Sequence, residues 1–102
     1  MIVAYSFVPV SDEDAGREFA QAMADRSRAV ETFRGFLRFE FRRELGRANR
    51  YVIATWWESR DDLRRYLASA EHRSTHHRLS ESGRAGLGPA RVEVQEVLET
   101  VG

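Results

Sequence analysis

The sequence predicts an α+β domain with the order strand, helix, strand, strand, helix, strand, and three observations carry that. Residues 2–10 and 50–57 are apolar on both faces at period two, as central strands are. Residues 36–45 and 90–100 alternate apolar with charged side chains, as edge strands do. Between them lie two stretches with apolar residues at helical spacing, each opened by a serine and a run of acids.

Taken in order, residues 2–10 place Ile2, Ala4, Ser6 and Val8 on one face and Val3, Tyr5 and Phe7 on the other. Ser11 reads as the cap of the first helix, with Asp12, Glu13 and Asp14 where the helix dipole favours negative charge. That helix is expected to reach Val30 or Phe33, with Ala15, Phe19, Met23, Ser27 and Val30 as its core stripe. Glu13, Arg17, Asp25 and Arg28 form its solvated face. Gly35 closes it or the loop that follows. In residues 36–45, Leu37, Phe39 and Phe41 oppose Arg38, Glu40 and Arg42. A turn at residues 46–49 leads to the strand 50–57. Ser59 caps the second helix, Asp61 and Arg65 stand in the favourable order for an ion pair, and Leu63, Tyr66 and Leu67 make the inward face. Ser69-Ala70 breaks it, a further helical piece spans 71–79, and residues 80–89 read as a loop. Val92, Val94 and Leu98 share one face of the last strand.

This order is the ferredoxin-like βαββαβ pattern, a split βαβ repeated, with a four-stranded antiparallel sheet in the order 4-1-3-2. Two helices cover only one side of such a sheet. The apolar residues on the other side call for a cover, and a second copy of the chain, making a homodimer, is the simplest.

Totals bound the function. A chain of 102 residues makes one domain, spanning 1–102. Its formal net charge of zero argues against a nucleic-acid partner and against an anionic membrane surface. Every basic residue is arginine, which a GC-rich coding sequence explains. There is no cysteine, hence no disulfide and no thiol chemistry. With no basic leader and no apolar run of membrane-spanning length, the expectation is a cytoplasmic protein.

The stretch 55–77 gathers both tryptophans and all three histidines, and any ligand site is expected there. Thr55-Trp56-Trp57-Glu58-Ser59, the helix to Ser69, the approach to His76, and Gly35-Phe36 resemble the antibiotic biosynthesis monooxygenase family, of dimeric α+β barrel type. The resemblance implies a small dimeric monooxygenase binding a flat hydrophobic or aromatic substrate. Haem degradation is the most concrete version, and a non-catalytic binding protein for haem or another hydrophobic ligand is the alternative. Whether the chain is an enzyme stays open at this point. No cofactor is obligatory: haem could serve as substrate and cofactor together, and no phosphate-cradling glycine motif marks a flavin.

By position, the asparagine, tryptophan and histidine of the haem-degrading branch fall on Ser6, Tyr66 and His76. The resemblance makes Ser6 and Tyr66 the catalytic candidates and His76 the haem-binding residue and iron ligand, with Trp57 and Leu63 lining the pocket. Serine reaches less far than asparagine, and tyrosine presses less on a porphyrin than indole does. On their own, these residues have blander uses: a small strand residue, a core aromatic, a half-exposed histidine. His72 and His76 stand four apart and could share a metal, but the residue after His72 is Arg73 and no acidic third ligand is fixed. His77 is expected in solvent. Trp56 and Trp57 point to opposite faces of one strand and cannot both line one pocket. Arg26 and Arg28 lie where an anionic group could meet the end of the first helix, although solvation is the ordinary use of such charges.

Overall fold

In the computed structural model, residues 1–26, 28–46, 50–70, 72, 88 and 91–102 are described. They form β1 (Ile2–Pro9), α1 (Glu13–Ala24), a 3-10 turn (Ala29–Thr32), β2 (Phe36–Arg43), β3 (Arg50–Trp57), α2 (Arg60–Leu67) and β4 (Arg91–Glu96). The sheet is antiparallel in the order β2-β3-β1-β4. The two strands that are apolar on both faces are the central pair, as their sequences require.

Both helices pack on one face. There Val8, Phe19 and Met23 form one buried cluster with Phe39, Phe41, Tyr51 and Ile53 around it. Ile2, Val30, Trp57 and Leu63 form a second, flanked by Ala4, Phe33, Phe36 and Tyr66. The opposite face carries Val3, Tyr5, Phe7, Val52, Ala54 and Trp56, by strand alternation. No helix covers it. Arginines from the same face lie over its rings instead: Arg38 sits 5.2 Å from the Trp56 centroid, and Arg50 and Arg91 sit 4.9 and 5.1 Å from that of Phe7. Long guanidinium stems thus shield apolar surface while their heads stay wet.

Several local expectations are corrected. The cap of α1 is Asp12, not Ser11: its carboxylate accepts the Ala15 N–H at 2.8 Å. The helix stops at Ala24 rather than near Val30, because the Arg26 side chain takes the Met23 carbonyl at 2.9 Å and the chain restarts as a 3-10 turn. Ser27 lies outside the described residues. Leu37 is 46% exposed, since an irregularity between Phe36 and Arg38 breaks the alternation and turns Phe36 inward in its place. Leu67 is 41% exposed: the buried stripe of α2 runs through Asp62, Leu63 and Tyr66 and leaves it at the margin. Arg65 pairs with Asp62 and not Asp61. β4 ends at Glu96, opposite Ile2, because β1 offers no further partner, and Leu98 is exposed. Val92 and Val94, on the helix side of β4, are also exposed. The helical piece at 71–79 and the loop at 80–89 lie, apart from His72 and Gly88, outside the described residues.

Candidate functional site

The end of β3 and the start of α2 set the site. Thr55 and Trp57 share a face of β3, and the Trp57 indole N–H donates to Thr55 Oγ1 at 2.8 Å. That bond satisfies the polar edge of a ring with no exposed surface. Ser59 then caps α2, its Oγ accepting the Asp62 N–H at 3.2 Å and donating to the Asp62 carboxylate at 2.8 Å. Arg65 Nη1 donates to the same carboxylate at 2.7 Å. The Ser59 hydroxyl, helped by Arg65 and Arg34, holds the Asp62 carboxyl below its ordinary pKa, while burial opposes the shift.

Asp62 also fixes the chain on the other side. Gly35 has φ +83°, and a Cβ there would run into the Asp62 carboxylate. The Gly35 carbonyl accepts the Glu58 N–H at 2.8 Å. Glycine is thus required twice, for its left-handed backbone and for close approach. The contact ties the segment before β2 to the first turn of α2 and so places Phe33 against Tyr66.

Tyr66 is the half-buried centre of this region. Its ring stacks on Trp57 at 5.3 Å, meets Phe33 edge-on at 5.2 Å and meets the His72 imidazole edge-on at 5.2 Å. Ser69 Oγ donates to the Tyr66 carbonyl at 2.5 Å and accepts the His72 N–H at 3.2 Å, so one hydroxyl holds the turn that sets His72 on the ring. Trp57 and Leu63 lie buried beneath Tyr66 as its floor and present no appreciable surface of their own. Ser6 is on the same sheet face, between Ala4 and Val8, opposite Ile53 on one side and Val92 on the other. The structure therefore brings Ser6, Tyr66, Trp57 and Leu63 to one side of the sheet. His76 and His77 lie outside the described residues, and with them the His72–His76 pair.

Phe33 joins this side although it was not expected in the site, and so does Arg26, which the sequence offers as a contact for an anionic group but reads first as a solvated charge. Phe33 had read as the end of a helix, and only the Gly35–Asp62 contact reveals its place. Arg26 turns inward, its guanidinium carbon 3.9 Å from the Phe39 centroid. A cleft of about 380 Å³ opens on the other face, among Tyr5, Phe7, Arg42, Glu44, Val52 and Gln95. It is shallow and lies between arginine stems on the uncovered face, away from Tyr66.

Among solved structures, the chain is similar to the haem degrader MhuD from Mycobacterium tuberculosis, seen with two haems bound in its active site: 25% identity, TM-score 0.81, all of both chains covered. It is also similar to SnoaB, a cofactor-independent oxygenase from Streptomyces nogalater, at 21% identity and TM-score 0.75, covering 98% of this chain and 95% of that one. A third neighbour, a putative antibiotic biosynthesis monooxygenase from Nitrosomonas europaea, has 15% identity and TM-score 0.77, covering 97% of this chain and all of the other. The last two likenesses bear on the fold alone. No curated protein matches the sequence. The model of the antibiotic biosynthesis monooxygenase family matches residues 1–78, which include β1, both helices and the Tyr66 cluster. With its four-stranded ferredoxin-like sheet and two helices, the chain belongs to the antibiotic biosynthesis monooxygenase family.

Proposed function

We propose that the chain binds a flat hydrophobic ligand on the helix-covered side of the sheet, against Tyr66, and acts on it as a small monooxygenase. The observation that carries this is the Tyr66 ring, packed by Trp57, Phe33 and His72 yet still half-exposed. A rigid aromatic wall with one phenolic hydroxyl favours a planar partner and offers it one donor and acceptor. Ser6 is the polar point deeper on the same face, and Tyr66 orients the ligand or exchanges a proton with it.

Haem is the most concrete substrate, supported by the 25% identity to a protein seen with haem in its active site. The wall suits a porphyrin plane, and haem would bring the iron and the oxygen chemistry. The chain's part would be to hold the plane with Tyr66 and to ligate iron with His76, which lies outside the described residues. A second reading, a binding protein without turnover, is favoured by Ser6 and Tyr66 themselves, which stand where the haem-degrading branch has asparagine and tryptophan. We further propose that the chain works as a homodimer joined through the uncovered sheet face, and that it neither spans a membrane nor binds nucleic acid; no helix among the described residues is long and apolar enough to cross one.

Haem titration of the purified protein, followed by a reductant and identification of the product, tests this. A shifted Soret band with loss of haem supports the degrading enzyme. A shifted band without turnover supports the binding protein. An unshifted band rejects haem in either role.

A further inference from the structure

Residues 33–36 make a tight turn just before β2. The Phe36 N–H donates to the Phe33 carbonyl at 3.1 Å, and Gly35 stands third with φ +83°, as a type II turn requires. The turn presents two rings to the site from one frame. Phe33 meets Tyr66 edge-on at 5.2 Å, and Phe36 meets Trp57 edge-on at 5.7 Å. Tyr66 and Trp57 are stacked on each other, so the turn braces both members of that stack. Behind the turn lies Asp62, buried in the first turn of α2. The backbone cap of α2 is made without its carboxylate, by Ser59 Oγ accepting the Asp62 N–H. A carboxylate at this place in a capping box reaches back to the backbone N–H of the cap residue. This one accepts the Ser59 hydroxyl at 2.8 Å and Arg65 Nη1 at 2.7 Å, and it lies against Gly35, where it leaves no room for a Cβ. Burying a charge is costly unless it is paired, and these two donors supply the pairing. Asp61, one residue earlier, is exposed and makes only a surface pair with Arg64.

We propose that Asp62 is a positioning residue for the Tyr66 ligand site: its buried carboxylate seats the 33–36 turn, and the turn sets Phe33 as the edge of the wall against which the ligand lies. This rests on the pocket reading above. Asp62 touches no ligand and acts through Phe33. The Glu58 N–H fixes the Gly35 carbonyl at 2.8 Å, and the carboxylate fixes the close approach on the other side of the same residue. A ring held in place before the ligand arrives loses less freedom on binding, so the wall binds more tightly than the same rings left mobile.

The test is a double-mutant cycle on Asp62 and Phe33, with pyrene carboxylate as the planar probe and binding read by its fluorescence. In the unmodified background, Asp62→Ala should weaken binding about two- to tenfold, the range that one aromatic contact supplies. In a Phe33→Ala background the same change should have almost no effect, because the ring it positions is gone. Asp61→Ala, which removes an acid from the same helical turn, should leave affinity unchanged. Without ligand, the Tyr66 ring resonances of Asp62→Ala should move toward those of Phe33→Ala. Equal losses in both backgrounds, or Tyr66 resonances unmoved by Asp62→Ala, overturn the role of Asp62 while the pocket stands. Failure of the probe to bind the unmodified protein overturns the pocket and the role together. If Asp62→Ala does not fold, Asp62→Asn, which keeps an oxygen for one donor, takes its place in the cycle with a smaller loss expected and the same dependence on Phe33.

Discussion

Trp56 and Trp57 are neighbours in the chain and opposites in the fold. Trp57 faces the helices, has no exposed surface, and packs against Phe36 and Tyr66. Trp56 faces away from them, half-buried, under Arg38 and Arg42. The helix side is closed by ring on ring. The other side is closed by charge on ring, with Glu40 bridging Arg38 and Arg42. A guanidinium laid over an aromatic face is held by about 0.5–1 kcal/mol when exposed, so that cover is easily moved. On the reading proposed above, the ring-packed side is core and ligand site, and the arginine-covered side is the surface that a second copy takes over.

The largest effect should come from Trp57→Ala, which removes a fully buried ring and the donor to Thr55. It should cost about 3–5 kcal/mol by denaturant unfolding, whereas Trp56→Ala should cost markedly less in a chain kept monomeric. Equal costs would erase the distinction between the faces. Next, Gly35→Ala places a side chain against Asp62 at a positive φ, and should cost about 1–3 kcal/mol and loosen Phe33 from Tyr66. A melting temperature equal to that of the unmodified protein would show that the Gly35–Asp62 contact does not set the site.

On the other face, Trp56→Glu should convert a dimer into a folded monomer, read as a halved mass by light scattering with helical dichroism kept. An interface covering this face would bury roughly 2,000 Å² or more. A folded monomer of the unmodified protein at micromolar concentration would refute that use of the face. A smaller effect concerns acid. The folded Asp62 carboxyl titrates below its unfolded value, so its stabilisation is present above the ordinary carboxylate pKa and is lost as pH falls through the lowered one. Asp62→Asn should therefore lose stability at neutral pH and show a shallower acid decline. A decline as steep as that of the unmodified protein would assign acid sensitivity elsewhere.

The two faces also differ in how well the sequence reports them. Alternation in β1 and β3 identifies both central strands, and the order of elements then fixes the sheet. Ser59 announces α2 because capping is local chemistry. Leu37 and Phe36 exchange places because a one-residue irregularity reverses alternation and leaves no periodic trace. Arg26 reads as a solvated charge, since nothing in the residues around it announces Phe39 on a distant strand. Phe33 joins Tyr66 only through Gly35 and Asp62, a contact between segments far apart in sequence. For the site, residue types are legible, while their mutual placement depends on long-range packing.

The central claim is that ligand binds on the helix side, at Tyr66. Aromatic-ring NMR during titration with pyrene carboxylate measures it directly, because Tyr66, Phe33 and His72 lie on one side and Tyr5 and Phe7 on the other. The account predicts the largest shifts at Tyr66, Phe33 and His72. Shifts confined to Tyr5 and Phe7, with Tyr66 unmoved, would place the ligand on the uncovered face and contradict it.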